Sequence, residues 1–138
     1  LTVSASDWWN DVLARHDGEG LSFTGRGDLT VPIPVNLFDT VLENCLENIR
    51  KKQRDEPDIR GVVELTNDEI LELSITDTGS PVPAVIAAGL FRAPVARARG
   101  GGLGIGLYQA FKQAEQAGYV LALRVNGVAE VRFVLRAS

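Results

Sequence analysis

Two asparagines, Asn44 and Asn48, lie one helical turn apart in the stretch "VLENCLENIRKK". Asn is a poor helix former, because its amide competes with the backbone for hydrogen bonds. An amide oxygen is, however, a suitable ligand for Mg²⁺, which takes one or two protein ligands together with phosphates and waters. The spacing puts Asn48 near the edge of the apolar stripe and so predicts a group at the rim of a pocket, with Lys51 or Lys52 within reach of a phosphate. A solvated, Asn-rich helix face is the alternative.

Five glycines fall within seven residues, and they are Gly100, Gly101, Gly102, Gly104 and Gly106. Backbone N–H groups without neighbouring side chains can approach an anion closely, and a helix that follows offers its positive N-terminal end. The cluster therefore predicts a phosphate-binding loop, with a flexible surface loop as the alternative. No Gly-Lys-Ser/Thr occurs and no G-x-G-x-x-G follows a strand, which excludes a Walker A loop and a Rossmann fingerprint.

An aspartate, Asp77, ends a predicted strand reading "LSITDTG". The residue is either a turn former or a carboxylate that reads a ligand. A partly buried carboxylate accepts a hydrogen bond from an exocyclic amine such as that of adenine. It discriminates between bases, because a buried acceptor left unpaired costs ~1–3 kcal/mol.

The first half of the chain supplies the elements that must position these groups. Residues 5–16 predict a short helix with Ser6 or Asp7 as the cap. The segments "LSFTG" and "LTVPIP" predict short edge strands, since proline is excluded from the centre of a sheet. Residues 36–54 predict a longer helix with an apolar stripe and with Asn36 as its N-cap.

The second half begins with a predicted hairpin over residues 61–77 that turns at Asn67 and Asp68. A mobile loop follows, with a short helical piece around residues 84–90. The glycine cluster then leads into a helix that ends before Gly118.

A second hairpin, turning at Asn126 and Gly127, closes the chain. Strands in hairpins together with about three helices predict an α+β two-layer sandwich. The pattern does not indicate a parallel βαβ order.

The composition is that of a globular domain: 138 residues, 45% apolar and 23% charged, with a net charge of −4. This charge is atypical of a nucleic-acid surface or of a protein that binds anionic membranes. The single Cys45 excludes an internal disulfide and a multi-Cys zinc site. No apolar run approaches the ~20 residues that span a bilayer. Because the chain starts at Leu1 and contains no Met, we expect it to be a fragment of a larger protein.

Taken in order, the motifs resemble the catalytic ATP-binding domain of sensor histidine kinases, in the superfamily shared with DNA gyrase, the MutL mismatch-repair proteins and the large heat-shock chaperone. "VLENCLENIRKK" is similar to the N box, "DTGSP" to the first glycine box, "LF" at 90–91 to the F box and "GLGIGLY" to the second glycine box. The resemblance runs from about residue 34 to 135. It implies a mixed five-stranded sheet packed on three helices, with ATP and Mg²⁺ bound under a lid at residues 80–102.

The resemblance also implies roles for individual residues. Asn48 matches the Mg²⁺ ligand, and Asp77 matches the carboxylate that reads adenine. Arg97 or Arg99 stands in for a basic lid residue. The ATP-binding residues implied in this way are Asn44, Asn48, Lys51, Asp77, Gly79, Arg97, Arg99, Gly102, Leu103, Gly104, Ile105, Gly106 and Leu107.

The resemblance implies no catalytic side chain within this fragment. Members that hydrolyse ATP carry Glu one turn before the metal-binding asparagine, and that Glu acts as a base. Asn44 cannot do so, and fast hydrolysis by the domain alone is therefore not expected. The only histidine, His16, precedes two glycines and is not expected to be the phosphoacceptor, which belongs to a separate dimerisation domain.

The resemblance further implies a cytoplasmic, monomeric domain whose parent protein signals to a response regulator, with or without an inner-membrane anchor. No nucleic-acid partner and no direct membrane contact are expected. One departure from the family pattern is Pro81, where the first glycine box usually has a second glycine. Proline fixes φ, so a degenerate nucleotide-binding or docking scaffold is an alternative. An anti-sigma-type serine kinase is a further alternative, opposed by Asn44.

Overall fold

The computed structural model describes residues 1–16, 18, 20–92 and 105–138. The predicted glycine cluster lies almost wholly outside this part of the chain. The described elements, in chain order, are β1 (Thr2–Ser4), α1 (Ala5–Arg15), β2 (Leu21–Gly27), β3 (Pro32–Pro34), α2 (Val35–Asp55), β4 (Gly61–Asn67), β5 (Leu71–Asp77), α3 (Ala84–Gly89), α4 (Ile105–Ala117), β6 (Tyr119–Gly127) and β7 (Glu130–Ala137).

Five strands form one mixed sheet in the order β2-β4-β5-β7-β6. Only the β2–β4 pair of this sheet is parallel, and the other three neighbours are antiparallel. The mixed five-stranded sheet is confirmed. The sequence pattern did not indicate a parallel βαβ order, and this prediction was wrong for β2 and β4. The helix α2 lies between these two strands in sequence and returns the chain to the same end of the sheet. The proline-rich β3 pairs with β1 in a separate two-stranded sheet.

The helices and the sheet share one buried apolar cluster. Trp8 of α1 meets Phe38 of α2 edge to face at 5.3 Å, and Phe38 meets Tyr119 of β6 at 5.4 Å. Leu107 and other apolar residues of α4 are buried in the same cluster. The predicted α+β sandwich of a sheet and three helices is confirmed. The short α3 is a fourth helix, where a helical piece was predicted.

The two predicted helix caps were wrong by two or three residues. Ser4, not Ser6 or Asp7, caps α1, because its hydroxyl accepts the backbone N–H of Asp7 at 3.1 Å. α2 begins at Val35 directly after Pro34, without a side-chain cap. Its predicted cap, Asn36, therefore lies within the first turn.

The closing hairpin turns at Val128 and Ala129, two residues beyond the predicted Asn126 and Gly127. Ala129 has a φ of 68°, which a non-glycine residue seldom adopts. The Asn126 side chain is used elsewhere, as described below. Among the described helices, none is long and apolar enough to cross a membrane.

Candidate functional site

The carboxylate of Asp77 is the buried acidic group of the site. Asp77 is the last residue of β5, pairs with Gly61 on β4 and Val131 on β7, and is 3% exposed. Its Oδ1 accepts the backbone N–H of Gly79 at 2.7 Å. The residue therefore both shapes the turn that follows and holds a buried anion at the strand end. Of the two roles that the sequence left open, the turn-forming role is observed, and the ligand-reading role stays a prediction.

Lys52 of α2 is the partner of this carboxylate. Its Nζ lies 3.0 Å from both Oδ1 and Oδ2 of Asp77, and its side chain is only 15% exposed. The ammonium of Lys52 is therefore bound to Asp77 in this arrangement, and a contact of Lys51 or Lys52 with a phosphate stays a prediction. Lys51 points elsewhere and forms a 3.5 Å ion pair with Glu47.

Gly79 is a point of close approach between the first glycine box and α2. A Cβ there would lie 2.8 Å from Cδ of Lys52, 3.0 Å from Oδ1 of Asp77 and 3.0 Å from Cδ1 of Ile59. The first separation is shorter than real Cβ contacts, and the other two are tighter than most of them. Glycine therefore gives the Lys52 stem room to pass over the turn and reach the carboxylate, and a larger residue would force that stem to shift.

The first glycine box is fastened on two sides. Arg60 donates its backbone N–H to the hydroxyl of Thr78 at 2.9 Å, and the Arg60 carbonyl accepts from the Thr78 N–H at 3.0 Å. Further along, the Asn126 amide bonds both the N–H and the carbonyl of Val82. An open cavity of about 380 Å³ borders this segment and the tip of the β6–β7 hairpin.

Asn44 contacts α4 at its first turn. Its Nδ2 donates to the Thr40 carbonyl at 2.7 Å. A Cβ added to Gly106 would collide with the Asn44 amide. The glycine at 106 is thus required by the approach of α2 and α4, in addition to any contact with a ligand.

Asn48 is half-buried one turn further along α2. No hydrogen bond joins its side chain to another described residue. Its amide oxygen is therefore available to coordinate a ligand such as a metal ion. The described residues contain no group of three or more His, Cys, Asp or Glu side chains arranged for a metal. A Mg²⁺ ion held by one amide oxygen and by phosphate oxygens needs no such cluster, and the residues present therefore fit it.

The remaining predicted residues fall into two groups. Leu107 is fully buried, so its side chain belongs to the core, and its backbone lies in the first turn of α4 with Ile105 and Gly106. The others lie outside the described residues: Arg97, Arg99, Gly102, Leu103 and Gly104.

The F-box pair at 90–91 joins the segment after α3 to the core. Leu90 is fully buried, and Phe91 stacks on Phe111 of α4 at 5.3 Å between ring centroids. This contact joins the segment that follows α3 to α4.

Cys45 lies beneath the carboxylate. It is 2% exposed, and burial raises the pKa of its thiol far above the ordinary value, with the negative charge of Asp77 as the second cause. The thiol therefore stays neutral and acts as an apolar floor.

Sequence reasoning missed two features of this site: the ion pair of Lys52 with Asp77 and the clamp of Asn126 on Val82. A lysine four residues after Asn48 lies near the same helix face, which was the available signal for the first. The contact of Asn126 with Val82 joins residues 44 positions apart, and no local sequence pattern predicts it.

Comparison with known proteins identifies the family and the fold of the chain. Residues 35–138 match the family model described as histidine kinase-, DNA gyrase B-, and HSP90-like ATPase. No curated protein sequence matches the chain.

Solved structures share the fold at low sequence identity. The nucleotide-free catalytic domain of histidine kinase ThkA is 14% identical with a TM-score of 0.73, covering 99% of this chain and 94% of that one. The mycobacterial sensor histidine kinase MprB is 18% identical with a TM-score of 0.71, covering 99% and 95%. The predicted resemblance is confirmed: the chain belongs to the family of histidine kinase-, DNA gyrase B- and HSP90-like ATPases and has the fold of histidine kinase catalytic domains.

Proposed function

We propose that this chain is the ATP-binding catalytic domain of a sensor histidine kinase. It positions the γ-phosphate of ATP for transfer to a histidine on a separate dimerisation domain. The observation that carries the proposal is the buried carboxylate of Asp77 beside Gly79, at the strand end where the family match leads us to expect the adenine base.

Asp77 is the proposed base-reading group. Its carboxylate is fixed by the Gly79 N–H and by the sheet on both sides, so it is preorganised to accept from the 6-amino group of adenine. A base without that amine leaves a buried acceptor unpaired and is disfavoured.

Asn48 is the proposed Mg²⁺ ligand, and its half-buried amide without a described partner supports this role. The metal, when bound, neutralises charge on the phosphate oxygens. The first turn of α4, with Ile105, Gly106 and Leu107, directs its backbone N–H groups toward the phosphates. For Lys51, and for Arg97, Arg99, Gly102, Leu103 and Gly104, contacts to the phosphates are proposed from the sequence motifs alone.

The proposed transfer is a direct displacement on the γ-phosphorus. The imidazole nitrogen forms a bond to phosphorus as the bond to the β–γ bridging oxygen breaks, ADP leaves, and the other ring nitrogen releases its proton to solvent water. The domain contributes positioning and charge stabilisation rather than a base. Asn44 bonds the Thr40 carbonyl and cannot accept a proton usefully, so water is not activated.

His16 is not the proposed acceptor. It follows the last residue of α1, its side chain is 8% exposed, and its Nε2 lies 3.1 Å from Oε1 of Glu43. Its ring also stacks against Phe23. An imidazole enclosed in this way has no line of approach to a nucleotide, which supports an acceptor on a different domain.

The wider setting is proposed on the same basis. The chain acts as one domain, a cytoplasmic monomer on its own, and is inactive in transfer without its phosphoacceptor domain. In the parent protein the phosphoryl group passes on to a response regulator.

A titration of the chain with ADP and ATP by calorimetry, with Mg²⁺ and again with EDTA, tests the ATP site. We expect micromolar to sub-millimolar binding that EDTA weakens. Mixing the chain with a dimerisation domain that carries a His-acid pair, supplied with labelled ATP, then tests transfer. Binding without transfer to any such domain would contradict the kinase assignment while leaving the ATP site in place.

A nucleotide-free docking scaffold is the second candidate. The observation that favours it is the ion pair that already satisfies Asp77, together with Pro81 in the first glycine box. The absence of binding under both titration conditions would select this candidate.

A further inference from the structure

The ion pair between Lys52 and Asp77 lies within the proposed adenine site and changes what that site can read. This inference rests on the proposed function, because it concerns the base of the same nucleotide. The Lys52 stem crosses Gly79 and delivers Nζ to within 3.0 Å of both carboxylate oxygens. Both side chains are largely buried, at 15% and 4% exposed.

Most of the hydrogen-bond acceptor positions on the Asp77 carboxylate are occupied. A carboxylate offers about four lone-pair positions. Oδ1 accepts from the Gly79 N–H and from Lys52, whereas Oδ2 accepts from Lys52 alone among the described residues. One acceptor position therefore stays open, and it is on Oδ2.

Lys52 has a donor left over. An ammonium group carries three N–H donors, and two of them are directed to the Asp77 oxygens. The site thus presents one open acceptor and one open donor side by side, held together by the ion pair.

The Watson–Crick edge of adenine has the complementary pattern, with a donor at the 6-amino group next to an acceptor at N1. Guanine presents a 6-oxo acceptor and then two donors, at N1 and at the 2-amino group. Its second donor needs a second acceptor, but Oδ1 of Asp77 is already taken by Gly79. The pair therefore favours a 6-aminopurine over guanine.

We propose that Lys52 is a base-reading residue, which donates to N1 of adenine while Asp77 accepts from the 6-amino group. The ion pair persists in the bound state, so the lysine does not have to leave for the base to enter. In the free state the same contact keeps the buried carboxylate from lacking a partner.

The test uses the unaltered chain first, titrated with ADP, GDP and 1-deaza-ADP, in which C–H replaces N1 and the amine is retained. We expect ADP to bind about tenfold more tightly than 1-deaza-ADP, as for one hydrogen bond to a charged group. Equal affinities would overturn the proposal for Lys52 and leave the ATP site standing. No ADP binding at all would overturn both.

Lys52→Met keeps the apolar stem and removes the ammonium, and Lys112→Met is the control, at an exposed lysine of α4 that is paired with Glu115 and lies outside the proposed site. We expect K52M to lose about tenfold in ADP affinity and to bind ADP and 1-deaza-ADP equally, while K112M keeps the affinity and the discrimination. A K52M chain that binds ADP more tightly would overturn the proposal, because the lysine would then be a plug that the base displaces.

Removal of the ammonium leaves Asp77 without its partner and can prevent folding. Lys52→Arg, which keeps the charge and the donors, is the second variant. We expect K52R to fold and to retain a preference for ADP over 1-deaza-ADP, although a weaker one, because the guanidinium is larger and planar. A folded K52R chain with an undiminished preference and unchanged affinity would argue against a specific contact from Nζ.

Discussion

The side-chain amide of Asn126 forms hydrogen bonds with both the backbone N–H and the backbone carbonyl of Val82. The amide oxygen accepts the Val82 N–H at 2.7 Å, and the amide nitrogen donates to the Val82 carbonyl at 2.9 Å. An amide side chain that mimics a strand partner in this way fixes the far end of the first glycine box to the β6–β7 hairpin. The segment between Asp77 and Val82 is thus anchored at both ends.

Asn126→Ala should release this end of the segment. Two part-buried hydrogen bonds predict a loss of about 1–2 kcal/mol in the free energy of unfolding. Nucleotide affinity should fall several-fold, because the segment must then be ordered on binding. Denaturant unfolding and an ADP titration measure the two effects. Asn67→Ala, which removes one hydrogen bond to the Asp28 carbonyl at the opposite end of the sheet, should lower stability alone. Unchanged stability in N126A would contradict the clamp.

Asp77→Asn should weaken ATP binding at least tenfold. The amide keeps the size of the carboxylate, but it is uncharged and offers acceptors on only one of its two atoms. Asp68→Asn is the control, since Asp68 forms an exposed ion pair with Arg26 at the other end of the β4–β5 hairpin. An affinity for ATP in D77N equal to that of D68N would remove Asp77 from the base site.

The sequence predicted the fold well where the signal was local or motif-based. The stripe of α2, the hairpin of β4 and β5 and the end of α4 before Gly118 follow from period and turn chemistry. The predicted cap of α1 was wrong because Ser4 and Ser6 are both suitable cap residues, and only the observed hydrogen bond from the Asp7 N–H identifies Ser4. The closing turn was predicted two residues too early, because Asn is a typical turn residue. In the structure Asn126 lies in β6, and its amide forms hydrogen bonds with Val82.

For the candidate site, residue type and spacing singled out Asn44, Asn48 and Asp77 but did not predict their contacts within the protein. Their roles toward a nucleotide stay predictions. The contact of Lys52 with Asp77 joins residues 25 positions apart, and the Lys52 stem passes close to the position that a Cβ of residue 79 would take. A close approach of that kind depends on tertiary packing, and no local sequence pattern predicts it.

Asn48→Ala should leave the apo domain intact while removing the metal contribution. Asn is less favourable than Ala in a helix by up to ~0.7 kcal/mol, and no described partner is lost, so the free energy of unfolding should stay the same or rise slightly. The ratio of ADP affinity with Mg²⁺ to that with EDTA should fall toward one. Asn36→Ala, at the start of the same helix, should keep the full ratio. A stability loss in N48A with an unchanged ratio would make Asn48 structural.

Cys45 should make stability fall at alkaline pH. Burial raises its pKa in the folded state, so above the ordinary thiol value of ~8.5 the unfolded chain releases a proton that the folded chain keeps. The stability contribution is complete below that value and is lost as pH rises, by up to ~1.4 kcal/mol per pH unit. Urea unfolding between pH 7 and 9.5 measures the slope. The slope should be shallower in Cys45→Ala, and equal slopes would contradict the prediction.

Gly106→Ala should destabilise the domain although Ala is the better helix former. The new Cβ would lie 2.8 Å from Cγ and 3.0 Å from Nδ2 of Asn44, whose amide is held by the Thr40 carbonyl. Overpacking of this kind costs about 1–3 kcal/mol, which exceeds the ~1 kcal/mol that Ala gains over Gly in a helix. Asn44→Ala makes room for the methyl group, and the double variant should therefore recover most of the loss. Thermal or denaturant unfolding of the two single variants and the double variant gives the coupling free energy. Additive effects would mean that the two helices do not meet at this pair.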